Sequence, residues 1–301
     1  CSSDLFSLNW TTVDTTLEVI NYIALGGADL TNVNLIQITA GTVTGNKAYT
    51  GVGFQPSAIV LMGMGTATAP PVTVTQALHF GAGFGINSTT RNTISFDDSG
   101  VGKGSKQIST AVFTEINASA DKEEADLVSM DADGFTLNWT ISNGTADILW
   151  ALCLKGGQYN VGTITQPTVT GNQATTGVGF QPTGLILVSQ GQPASTAIQT
   201  TAKFSYGGGS AATSRGAIWA EDVNFSNASE DLNRTRIVRI LTQGAPSTVN
   251  ADADLVSFDA NGFTLNWTTV DATARQLLYW AFGNAAAAAC PKTLMMLHVG
   301  C

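Results

Sequence analysis

The sequence predicts an all-β chain: two tandem homologous β-sandwich (jelly-roll-like) domains preceded by an orphan strand pair. Three observations predict it. A set of motifs recurs along the chain, with Thr44-Gly45-Asn46 … Thr50-Gly51-Val52-Gly53-Phe54-Gln55-Pro56 returning 126 residues later as Thr170-Gly171-Asn172 … Thr176 to Pro182. Apolar and polar residues alternate with period two, as in Phe135-Thr136-Leu137-Asn138-Trp139-Thr140. The runs are short and bounded by Gly, Asn, Asp and Pro, and no convincing amphipathic helix is found.

Residues 1–28 form the first element. Phe6 to Asp14 nearly duplicates Phe263 to Asp271, and Tyr22 to Gly26 parallels Tyr279 to Gly283. The spacing from Phe to the shared Ala is 18 in both (6 to 24, 263 to 281) but 16 in the first full unit (135 to 151). The fragment therefore reads as the closing strand pair of the second unit. Its apolar face is Leu5, Phe6, Leu8, Trp10, Val19, Tyr22, Ile23 and Leu25. A lone strand pair is marginal in water and its edges are adhesive, so it needs a partner. An upstream unit or a neighbouring subunit would supply one.

Residues 29–157 and 158–284 form the two full units, each expected to hold eight to ten strands. Hairpin turns are signalled at Asp133-Gly134 and Asn261-Gly262. Ala58 to Met62 and Gly184 to Val188 follow a Phe-Gln-Pro turn and are apolar on both faces, as in a central sandwich strand. Residues 285–301, with five alanines and Cys-Pro-Lys, break the repeat's chemistry and carry no assigned role.

Composition limits the function. Charged residues make up 12% of the 301, and the net charge is −9. With 13 Lys and Arg and one small cluster (Arg234, Arg236, Arg239), nucleic-acid binding is not expected. No apolar run is long enough to span a membrane as a helix. The four cysteines match no zinc spacing, and Cys153 reads as a buried thiol.

Candidate chemistry is sparse. His79 and His298 have no signalled catalytic partner. Arg91 with Asp98, and Arg215 with Asp222, recur in both units and read as ion pairs. Asp131-Ala132-Asp133-Gly134, and Asp252, Asp254 and Asp259 near Asn261, suit calcium but suit hairpin turns better. Gly81-Ala82-Gly83-Phe84-Gly85 lacks the helix and Lys of a phosphate loop and reads as a surface loop. No cofactor, metal or catalytic residue is assigned, and the chain is not read as an enzyme. The acceptor pattern Asn-x-Ser/Thr occurs at Asn87, Asn117, Asn143, Asn227 and Asn233, and also at Asn9, Asn138, Asn224 and Asn266.

The motif set Thr-Gly-Asn … Thr-Gly-Val-Gly-Phe-Gln-Pro … Gly-Phe-Thr-Leu-Asn-Trp, with its closing apolar strand, resembles a repeat of phage virion and prokaryotic surface-fibre proteins. The resemblance covers residues 29–284 twice over and implies a structural role at a virion or cell surface. The leading expectation is a subunit of an extracellular pilus-like helical filament, assembled head to tail with itself through segment 1–28. The alternative is a phage tail or capsid-surface protein with glycan-binding modules.

Overall fold

A computed structural model describes residues 7–11, 24–70, 77–99, 102–117, 120–222, 229–242 and 247–285. The architecture is all-β. The first domain comprises β1 (Leu30–Thr39), β2 (Gly45–Thr50), β3 (Ala58–Gly63), β4 (Ala77–Gly85), β5 (Arg91–Ser99), β6 (Gly102–Ile108), β7 (Phe113–Asn117), β8 (Ala120–Asp131), β9 (Gly134–Ile141) and β10 (Ile148–Gly156). The second repeats the order with β11 (Gln158–Thr165), β12 (Gly171–Thr176), β13 (Gly184–Ser189), β14 (Ala202–Ala211), β15 (Ser214–Asp222), β16 (Ser229–Asn233), β17 (Val238–Leu241), β18 (Val249–Asp259), β19 (Gly262–Thr269) and β20 (Gln276–Gly283).

Each domain pairs a six-stranded antiparallel sheet with a four-stranded one. The orders are β1-β10-β3-β4-β5-β6 with β2-β9-β8-β7, and β11-β20-β13-β14-β15-β16 with β12-β19-β18-β17. In the first domain the chain changes sheet four times, between β1 and β2, β2 and β3, β6 and β7, and β9 and β10, and the second domain repeats this. Between these crossings β3 to β6 and β7 to β9 run as meanders.

The repeated motifs are structural. Phe135, Leu137 and Trp139, and their counterparts Phe263, Leu265 and Trp267, are wholly buried between the sheets. In the Gly-Val-Gly-Phe-Gln-Pro loop, Val52 and Phe54 point into the core while Gly51 and Gly53 take positive φ of 86° and 87°. Their amides donate to the Asp133 carboxylate across the hairpin, and Gln55 donates to the Met130 carbonyl. In the second domain Asn261 accepts from Gly179, and Gln181 donates to the Phe258 carbonyl.

Two sequence expectations change. Gly81–Gly85 is not a loop but the end of strand β4. A Cβ at Gly83 would lie 1.9 Å from the Val112 carbonyl oxygen, and one at Gly207 1.8 Å from that of Ile237, so both glycines permit a close backbone crossing. The closing strands also align differently. Cys153 pairs with Ile59, and Ala281 pairs with Leu185, the residue 126 further on. The counterpart of Ala281 is therefore Cys153, not Ala151, and the spacing is 18 in both units (135 to 153, 263 to 281). The N-terminal fragment matches the end of either unit.

Among the described residues three apolar cores result. Two lie inside the sandwiches. The third joins the outer faces of the two six-stranded sheets through Val60, Phe84, Leu154, Ile186, Trp280 and Phe282. This explains why β3 and β13 are apolar on both sides: both faces are buried. Equivalent residues meet there. Phe80 and Phe204 lie 6.0 Å apart edge to face, and Asp98 and Asp222 both bind Lys103. The domains are thus related as in a two-fold dimer, inside one chain. Asn92 joins Trp280 and the Gly162 carbonyl, and Gln107 joins Gln276 and the Gln190 amide.

Candidate assembly surface and a buried polar cluster

The assembly reading rests on residues 1–28. Leu5, Phe6, Val19, Tyr22 and Ile23 lie outside the described residues. Ser7–Trp10 and Ala24–Gly26, expected to be strand, take none. Leu8 is 61% exposed, Trp10 59% and Leu25 40%. The same motif positions in the domains, Leu137 and Trp139 and then Leu265 and Trp267, have no accessible surface. The difference is physical: a strand forms when a sheet supplies its hydrogen bonds and a core covers its apolar face, and the described residues supply neither to Ser7–Trp10.

A second uncovered apolar surface lies on the outer face of the first domain. Val33 (52% exposed) and Leu35 (54%) on β1 stand with Trp150 and Met62. Their counterparts Tyr159, Val161, Leu278 and Val188 are packed against the first domain. The asymmetry has a local cause. Phe84 and Asn92 fill one side of the domain interface, whereas Gly208 and Gly216 hold the equivalent positions on the other. A groove of about 1310 Å³ opens there, lined by Ala24–Leu30, Leu154, Gly208, Gly216, Ile218 and others.

One end of the first sandwich holds ionisable groups between its sheets. Glu115 on β7, Glu123 on β8 and Asp147 before β10 are all at most 2% exposed. Lys122 Nζ lies 2.9 Å from Glu115 Oε1, 2.7 Å from Asp147 Oδ2 and 2.9 Å from the Gly65 carbonyl oxygen. His79 Nδ1 approaches Asp97 Oδ1 at 2.6 Å nearby. Burial, reinforced by the carboxylates of Glu115 and Asp147, pushes the Glu123 carboxyl up to about 8. Burial also raises Glu115. For Lys122 burial is again the largest influence, yet its carboxylate partners together hold it above the ordinary lysine value. Neither Glu123 oxygen has a hydrogen-bond donor. Sequence reasoning missed this cluster. The signal was present, since Ile240, Asn250, Ala251 and Arg275 stand where the first unit has Glu115, Lys122, Glu123 and Asp147.

Other candidates resolve into structure. Arg91 pairs with Asp126 at 3.1 Å and Arg215 with Asp254 at 3.1 Å, not with Asp98 and Asp222, which share Lys103 instead. A carboxylate on the facing four-stranded sheet, rather than the residue seven along, takes the guanidinium. Asp131 accepts from Ser129 and Thr136, and Asp259 from Ser257 and Thr264, so these acids staple hairpins. No group of three or more metal-ligating side chains is found among the described residues. Arg236 and Arg239 are paired with Asp231, Asp252 and Asp254. Cys153 is buried and free, its thiol pushed up to about 12 by burial. No helix among the described residues is long and apolar enough to cross a membrane.

Of the glycosylation candidates, Asn87, Asn117 and Asn143 are exposed and Asn233 is half-buried; Asn227 lies outside the described residues. Asn143 Nδ2 donates to Asp147, which engages the nitrogen a glycan would take. Asn87 and Asn233 accept through Oδ1 in local turns. Compared with protein-family models, with curated proteins and with solved structures, the chain finds no match in any of the three.

Proposed function

We propose that the chain is a structural subunit of an extracellular pilus-like filament, joined head to tail through its N-terminal segment 1–28. One observation carries the reading. Trp10 repeats Trp139 and Trp267 in motif and position, yet it is 59% exposed where they are wholly buried. Covering a large apolar side chain stabilises by about 1.5–3 kcal/mol, so Leu8 and Trp10 alone supply a real drive toward a partner. A neighbour that offers a sheet edge also satisfies the segment's backbone. Such a contact uses different surfaces on the two copies and propagates instead of closing. The uncovered Val33–Leu35–Trp150–Met62 face and the adjoining groove are the natural receiving surface. No catalytic residue is assigned, and glycans attached at Asn87 or Asn117 would lie on the outside.

Deleting residues 1–28 tests the reading by electron microscopy and sedimentation. Folded monomers that form no fibres are expected. Fibres assembled by the truncated chain would refute the reading, and particles with heads or tails would move it to a virion.

A further inference from the structure

The polar end of the first domain contains the parts of a condensation reaction. Lys122 supplies an amine and Asp147 a carboxyl, with Nζ and Oδ2 2.7 Å apart. Glu115 Oε1 stands 2.9 Å from the same nitrogen. Glu123 is fully buried, and its two oxygens find no donor. A proton on Glu123, directed at Asp147, removes that deficit and turns two clashing carboxylates into an acid–carboxylate pair. We propose that Lys122 and Asp147 condense into an intramolecular amide cross-link, with Glu115 as proton acceptor and Glu123 as acid.

The step balances without any co-reactant. The Lys122 ammonium passes one proton to Glu115. The freed Nζ lone pair attacks Cγ of Asp147 while Glu123 protonates the oxygen on which charge develops. The nitrogen gives its second proton back to Glu123. One Cγ–O bond then breaks, and that oxygen leaves as water with the proton Glu115 held. An amide remains, and both glutamates return to their starting states. Exclusion of water favours the neutral amine over the ammonium and the amide over its hydrolysis. Burial raises Glu115 toward its neutral form, whereas the carboxylates hold Lys122 above the ordinary lysine value, so the transfer from Lys122 to Glu115 is the uphill part of the step.

The bond would join β8 of the small sheet to the segment entering β10 of the large sheet, so the sandwich could not open at that end. Asn250 replaces the amine in the second domain, which confines the cross-link to the first. The proposal does not rest on the filament reading.

Intact mass of the purified full chain tests it, followed by peptide mapping. The expected mass is one water below that of the sequence, with a branched peptide joining Lys122 to Asp147. A full mass with both peptides unlinked would overturn the proposal. Lys122→Arg should restore the full mass; a water still missing from that variant places the loss elsewhere and also overturns it. Glu123→Ala, which installs the second domain's own residue, should fold and keep the full mass. If it still loses water, the acid role of Glu123 is wrong.

Discussion

The same end of the two sandwiches is filled in opposite ways. In the second domain Trp219, Ile240 and Ala251 pack an apolar core. In the first, Ser95, Glu115 and Glu123 occupy the corresponding places, with Lys122 and Asp147 beside them. A turn glycine marks the site in each. A Cβ on Gly191 would meet Trp219 at 2.9 Å, and one on Gly65 would meet Glu115 Oε1 at 2.3 Å. One backbone therefore tolerates either a dispersion-packed core or a desolvated set of charges. Burying charges costs free energy, and paired substitution by apolar groups is often neutral or better. The first domain nonetheless holds them, at the place where the proposed amide would form.

The largest test of this contrast is Trp219→Ser, which gives the second domain the first domain's residue without its charges. It should cost about 3–5 kcal/mol, read as a lower denaturation midpoint for that domain. A loss under about 1 kcal/mol would mean that the end collapses freely and the contrast is unimportant.

Next in size is a divergence with pH. Glu123 binds its proton more tightly folded than unfolded, with about 8 in the fold against an ordinary 4.5. Between those values the native state holds the extra proton. The first domain's stability is therefore full below about 4.5 and falls as pH rises toward about 8. Asp271 in the second domain behaves oppositely. Hydrogen bonds from Arg275 hold it down to about 2, so its contribution is present above the ordinary 3.8 and lost as pH falls toward 2. Glu123→Gln should flatten the alkaline slope and leave the acid one; an unchanged alkaline slope would remove Glu123 from the account.

The smallest difference lies in the hairpin caps. Asp133 accepts from two glycine amides, whereas Asn261 accepts from one. Asp133→Ala should cost about 1–2 kcal/mol and Asn261→Ala about 1 kcal/mol. Equal losses would show that the second amide in the first domain contributes nothing.

Much of the fold was legible because a repeat states the same design twice. The buried Phe135, Leu137 and Trp139 follow from alternation alone, and the Asp133-Gly134 turn from its dipeptide. Sheet order was not legible, because β1 meets β10 across more than a hundred residues and no local pattern encodes that pairing. The third core was visible as β3's two apolar faces, but those were attributed to a single sandwich. The ion pairs were misjudged for a related reason: Arg91 reaches Asp126 across the structure, not Asp98 along the strand. The polar cluster was hidden by the same non-locality, since its members come from β7, β8 and the approach to β10.

The face joining the two domains has one more consequence. Strand β10 ends at Gly156 and β11 begins at Gln158, so a single residue tethers the two halves. In a dimer of separate chains, any substitution at such a face appears twice, once on each side of the axis. Here the copies have been free to drift apart, and Phe84 stands on one side while Gly208 stands on the other. Fusion therefore lets one chain possess a closed side and an open side, a polarity that no symmetric pair of identical halves can have.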